Sequence, residues 1–277
     1  MPNSRFDIDY WRGIYRAQIA HTDWVITGPI SSPIDIAKRE EWLDANPRAF
    51  NSFRGQPVDY LVHGLGEPPQ PHQSKMGGIP YRPRNAQWPV SADGEPMQFF
   101  GQINFSNSCD LVPEAKGAVL VMFHCGEDSC STEEFRFEWY DEDIRDLPTE
   151  ADIPSFESLH IDFPIHYEVF RSTEWPVPKN AGEELRDYNS LVASKIGGVP
   201  SYFGDSDPKL PGRYFMTIDS LQISVGRPFP AVNYHENLTR DDAGGYYAAS
   251  FVMLGDLGSL FLNIDRDGAV FCAGQCH

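Results

Sequence analysis

The hexapeptide Lys75-Met76-Gly77-Gly78-Ile79-Pro80 returns as Lys195-Ile196-Gly197-Gly198-Val199-Pro200, with Tyr81 and Tyr202 close behind. Repetition of this kind within one chain marks a duplicated supersecondary unit and narrows the accessible folds more than any other feature. Each copy is followed by an apolar run ending in an Ile-amide or Ile-acid pair, Ile103-Asn104 and Ile218-Asp219. A further run follows in each half, Ala118 to Phe123 after Gly117 and Leu260 to Ile264 after Gly258. Paired glycines permit positive φ and close backbone approach, and the proline stiffens the exit, so the motif is read as a tight turn seating one strand against its neighbour. Neither copy has the full glycine fingerprint or the Lys-Ser/Thr ending of a nucleotide loop, which sets a phosphate cradle aside.

Around the repeats, short apolar runs alternate with Gly, Pro, Asn and Asp, and Gln98 to Phe105, Ala118 to His124 and Glu134 to Tyr140 read as strands. In the last, Phe135 and Phe137 alternate with Arg136 and Glu138, and either Trp139 or Tyr140 turns inward with them. Ahead of the repeats, Trp11, Ile14, Tyr15, Gln18 and Ile19 have helical spacing, and a second helix begins at Ser32-Pro33, runs through Ile36 and Leu43 and stops at Asn46-Pro47. Pro57 to Val62 reads as a short strand, Gly64 to Gln73 as a proline-rich loop, and Gly182 to Leu191 as a helix with Leu185, Tyr188 and Leu191 on its packing side. The expected fold is α+β, with predominantly antiparallel β-sheets from an internally duplicated unit, a few helices and an N-terminal helical extension. The extension spans residues 1–70, the first β-rich repeat 71–155 and the second 156–277.

Twenty-two basic residues against forty acidic ones leave a net charge of −18, which repels phosphate backbones and anionic membranes, so neither direct nucleic-acid nor membrane binding is expected. The excess is concentrated from Glu127 to Glu157, where twelve carboxylates face only Arg136 and Arg145. No basic stretch followed by an apolar run opens the chain, and no apolar run is long enough to span a bilayer. With five cysteines, an odd number in a chain too large to need staples, a reducing cytoplasm is the expected compartment.

Neither Gly-x-Ser-x-Gly nor His-Glu-x-x-His occurs, so no catalytic residue and no cofactor is assigned. His124, Cys125 and Cys130 with Cys272, Cys276 and His277 would suit zinc only if the segments met in space, and free thiols are the preferred reading. Asp205-x-Asp207 and Asp265-x-Asp267-Gly268 lack the remaining ligands of a calcium loop and are read as turns.

The stretch Gly77-Gly78-Ile79-Pro80-Tyr81-Arg82-Pro83, then Trp88-Pro89, then Met97-Gln98-Phe99-Phe100-Gly101-Gln102-Ile103-Asn104 resembles the bacterial YwqG-like family, a domain of unknown function. The second repeat, Phe215 to Ser220 and Gly255 to Leu262 echo it, so that the resemblance runs over roughly residues 70 to 275. Leu254 and Thr217 depart from the family's usual Trp and Gln. The resemblance implies an α+β fold with internal duplication and, for some members, an immunity role against contact-delivered toxins. The expected function is therefore an acidic immunity protein that masks the active site of a basic toxin, a nuclease being the favoured partner. Its expected contact residues are Glu127, Asp128, Glu133, Glu134, Glu138, Trp139, Asp141, Glu142 and Asp143, with aromatic side chains as desolvated anchors. The alternative is a small-molecule-binding protein or enzyme using a cleft between the repeats, with Asn104, Asp219 and Asp256 as its polar residues.

Overall fold

The computed structural model describes residues 8–9, 12, 33–65, 67–125, 132–156, 164–202, 207–225, 239–240, 246–252 and 258–275. The first expected helix, with Trp11, Ile14, Tyr15, Gln18 and Ile19, lies outside them. The second is helix α1 (Pro33–Ala45), which starts at the proline and ends at Asn46, whose amide donates to the Trp42 and Leu43 carbonyls. Helix α2 (Glu183–Asn189) is shorter than the sequence pattern indicates. Leu191 lies beyond its end in irregular chain, so the expected three-residue packing stripe loses its last member.

The described strands are all paired antiparallel. Ten of them form one sheet: β1 (Gln56–Leu65), β2 (Lys75–Met76), β3 (Gln98–Asn104), β4 (Val119–His124), β5 (Phe135–Tyr140), β6 (Ile165–Glu174), β7 (Lys195–Gly197), β8 (Arg213–Asp219), β12 (Ser259–Ile264) and β13 (Val270–Gln275). Their spatial order is β13-β12-β8-β7-β1-β6-β2-β3-β4-β5, and β9 (Leu221–Val225), β10 (Thr239–Arg240) and β11 (Tyr246–Val252) form a separate three-stranded sheet. The region read as a helical extension thus contributes β1 to the middle of the large sheet, where it pairs with β6 over ten residues.

Alternation along the strands gives the sheet two faces. On one side Leu61, Met76, Phe100, Ile103, Ile196, Phe215, Leu260 and Leu262 form the main core. The sheet curls around this core until it is nearly closed like a barrel. Trp139 on edge strand β5 donates its indole N–H to the carbonyl of Gly268, in the turn leading into the opposite edge strand, at 3.1 Å. On the other side, Val58, Tyr60 and Val62 of β1 meet Ile36 of α1, while Val119, Val121 and Phe123 of β4 meet Tyr81 and Met97. Covered on both faces, β4 is apolar from Val119 to Phe123 rather than alternating. Arg39 fixes α1 to the sheet: fully buried, it donates to the Tyr188 and Thr173 carbonyls and lies over the Tyr60 and Trp175 rings.

Phe135, Phe137 and Trp139 all pack against the main core, and Tyr140 turns to the cluster on the other face. The inward-facing choice left open by the sequence therefore resolves to Trp139 on the main core side, with Tyr140 on the opposite side.

Candidate functional site

The repeated hexapeptides place the same constellation twice. Gly77, Gly78, Gly197 and Gly198 have φ of 68°, 75°, 72° and 68°, the left-handed turn that the paired glycines imply. Each turn folds over a lysine-carboxylate pair. A Cβ on Gly78 would collide with the Glu67 carboxylate and one on Gly198 with that of Glu174, so both pairs sit directly under glycine backbone.

In the second half the pair is closed. Lys195 Nζ donates to both oxygens of Glu174 at 2.9 Å, and both side chains are essentially inaccessible. Glu174 also accepts from the Tyr60 hydroxyl at 2.7 Å, the Leu191 amide at 2.9 Å and the Val199 amide at 2.7 Å. The third Lys195 donor reaches the Leu191 carbonyl at 2.9 Å. Burial lowers the Lys195 ammonium below the ordinary lysine range, with Glu174 opposing that shift, and burial together with the Glu174 charge raises the Tyr60 phenol well above its usual value. Every strong donor and acceptor around this pair is matched, the condition under which burying two charges is tolerated.

In the first half the pair is open. Lys75 Nζ donates to Glu67 at 2.6 Å, and Glu67 accepts from the Ile79 amide at 3.3 Å. Lys75 is 2% exposed, yet the Glu67 side chain is 44% exposed. Burial lowers the Lys75 ammonium, and the hydrogen bond and charge of Glu67 counter it. A groove of about 590 Å³ opens over the pair, within the size range of ligand pockets. Its floor is Glu67, Lys75, Gly77 and Gly78, and its walls are largely proline and aromatic: Pro68, Pro69, Pro71, Phe99, Pro148 and Phe156.

One buried side chain separates the two halves. Gln102, paired across strands with Lys75, donates to the Pro71 carbonyl at 2.7 Å and the Gln73 carbonyl at 2.8 Å, and accepts from the Tyr81 amide at 2.8 Å. It thereby ties the proline loop to β3 and occupies the Pro71 carbonyl. Its cross-strand counterpart opposite Lys195 is Thr217, whose hydroxyl is shared with Tyr214. The threonine noted above as a family departure therefore coincides with the closed site.

The acidic segment is divided rather than forming one patch. Strand β5 separates Glu133 and Glu134 from Asp141 and the residues after it, by about 20 Å for a six-residue strand. Several carboxylates serve the chain itself: Glu138 pairs with Arg82 at 3.3 Å, Asp152 with Arg84 at 3.1 Å, and Glu142 accepts from Asn104 at 2.7 Å and Ser106 at 2.6 Å. Those last two hydrogen bonds hold the Glu142 carboxyl below the usual range. Asp141, Asp143 and Glu150 are exposed, and Leu147, Pro148, Glu150 and Ile153 form one wall of the groove. Glu127 and Asp128 lie outside the described residues. Phe135 is buried in the core and Phe137 and Trp139 pack half-buried against it, so these expected aromatic anchors are largely committed to the fold on this strand.

Asn104 and Asp219 occupy matching positions at the ends of β3 and β8. Their amides donate to Ser74 and Ser194 hydroxyls, each at 2.9 Å, and Asp219 also accepts from Ser259 at 2.5 Å. Neither lines the groove, and between β3 and β8 lies core, with Phe105 and Phe215 rings 6.0 Å apart. Asp256 lies outside the described residues, as do Cys130, Cys276, His277 and Asp205. Among the described residues no group of three His, Cys, Asp or Glu side chains is placed to hold a metal, and no helix is long and apolar enough to cross a membrane.

Sequence reasoning found the glycine turns and lysines but missed both glutamates. Glu67 precedes its lysine by 8 residues and Glu174 by 21, because α2 is inserted in the second half, so the partners do not align by spacing. No curated protein matches the chain. A family profile does, over residues 74–225, which takes in both glycine turns, the lysines beneath them and Glu174. With more than half its length matched, the chain belongs to the family described as a domain of unknown function, DUF1963.

Proposed function

We propose that the protein is a binding protein for a basic protein partner, which it neutralises by covering the partner's working surface. The favoured partner is a secreted toxin of the nuclease type, whose cleft must be basic to hold phosphates. The observation that carries this reading is that the exposed carboxylates Glu67 and Glu150 line one open groove, with Asp141 and Asp143 exposed earlier in the acidic segment that supplies its wall, in a chain of net charge −18. The YwqG-like resemblance supports the immunity role. Descent from a duplicated unit supports the same reading by explaining how one of two equivalent sites became free to specialise. Its support is the matched hydrogen bonding: Leu61 N–H reaches the Ser194 carbonyl as Tyr167 N–H reaches that of Ser74, each at 2.9 Å.

The test is co-expression with the product of the neighbouring open reading frame and recovery of a complex. Reversal of Asp141, Asp143 and Glu150 to lysine is expected to abolish recovery at physiological salt, whereas Glu133→Lys, at the far end of β5, leaves it unchanged. Equal recovery by the triple variant and the parent, with fold verified by circular dichroism, refutes the acidic-surface reading.

A further inference from the structure

We infer that the groove receives a main-chain segment of the partner, the carbonyl of one residue accepting from Lys75 Nζ and its amide donating to Glu67. This rests on the reading of the protein as a binder of basic proteins and names the mode of recognition at that site.

The second half supplies the template. There Leu191 offers its amide to Glu174 and its carbonyl to Lys195, so one residue of irregular chain satisfies both members of the ion pair. Four positions before Lys195 stands Leu191, and four positions before Lys75 stands Pro71. Proline has no amide hydrogen to give, and the Pro71 carbonyl is taken by Gln102. Both contacts made by Leu191 are therefore missing over Lys75 and Glu67.

What remains is an incomplete ion pair. Lys75 Nζ has three donors and, among the described residues, reaches only Glu67, although the lysine is 2% exposed. A buried ammonium without its full set of acceptors is costly, and a peptide carbonyl arriving through the groove supplies one. Pro68, Pro69, Pro71 and Pro148 wall the groove without adding amide donors of their own, which favours a ligand bringing both a donor and an acceptor. Glu150 on the rim matches a lysine or arginine next to the bound residue.

The experiment uses the full chain, isotopically labelled, titrated with acetyl-Lys-Leu-Lys-amide while the amide signals of Gly77, Gly78 and Ile79 are followed. Saturable shifts at these three amides are expected, with binding weakened about tenfold when the leucine nitrogen of the peptide is methylated. Pro71→Leu, which restores a backbone donor from the chain itself, is expected to weaken the peptide by a similar factor. Unmoved amides at millimolar peptide, or equal binding of the methylated peptide, overturn the inference. Failure here alongside salt-sensitive capture of the partner removes main-chain recognition and leaves the acidic surface standing. Binding that depends on the peptide amide but is equally strong for acetyl-Glu-Leu-Glu-amide does the reverse.

Discussion

Replacing Glu174 by glutamine removes one charge from the closed pair while keeping its size and one acceptor oxygen. Lys195 then remains an ammonium 1% exposed, without a directly bonded counter-ion and with only neutral acceptors, the Leu191 carbonyl and the glutamine oxygen. Breaking a buried pair from one side costs about 3–5 kcal/mol, because the surviving charge is neither solvated nor neutralised. For a chain of this size that is a fall in melting temperature of roughly 6–20 °C. The matched change in the first half, Glu67→Gln, alters a side chain that is 44% exposed on the floor of an open groove. A pair with one half-exposed partner is already screened by solvent, and the expected cost is about 1–2 kcal/mol. Urea unfolding of the two variants beside the parent measures both quantities under one protocol. If the two substitutions prove equally destabilising, one site is not closed and the other open, and the argument from their difference fails.

Alkaline pH should unfold the protein over a narrow range. Burial raises the phenols of Tyr60, Tyr167 and Tyr214, and burial with Glu138 beside it raises Tyr140 to about 12. The unfolded chain releases these protons near pH 10, so their stabilising share is intact below about pH 10 and is lost as pH climbs through the folded values. Lys75 and Lys195, lowered by burial, act with the opposite sign, but their contribution is complete by about pH 10.4. Phenolate absorbance and circular dichroism should therefore change together above pH 10, and ionisation of these tyrosines near pH 10 with the fold intact would contradict the burial. Gly101→Ala places a Cβ against the Met76 sulfur and 2.8 Å from the Lys75 carbonyl oxygen, and is expected to cost about 1–3 kcal/mol in the same urea assay. An unchanged midpoint would show that β2 and β3 have room to separate.

The elements set by local chemistry were legible in the sequence. Paired glycines announced left-handed turns, Ser32-Pro33 and Asn46-Pro47 bracketed α1, and the alternation of Phe135 and Phe137 with Arg136 and Glu138 identified a strand with its inward side. What local pattern did not reveal was partnership. Pro57 to Val62 was readable as a strand, but nothing nearby indicated that it pairs with β6 and β7 in the centre of the sheet. The same limit hid the contrast between the two sites: Pro71 and Leu191 differ in having an amide hydrogen, and this matters only once Glu67 and Glu174 are brought to them across the fold. The acidic run looked continuous in the chain, whereas a strand laid through it sends its two parts to opposite ends.

The position of β1 bears on the order in which the molecule can assemble. All its sheet neighbours belong to β6 and β7, made much later in synthesis, so the strand leaves the ribosome with neither edge occupied. Contacts spanning so much chain are slow to form, and an unpaired strand is open to mispairing while it waits. Division of the polypeptide after β5 would leave β1 on one fragment and both its neighbours on the other, so neither piece would inherit a finished centre.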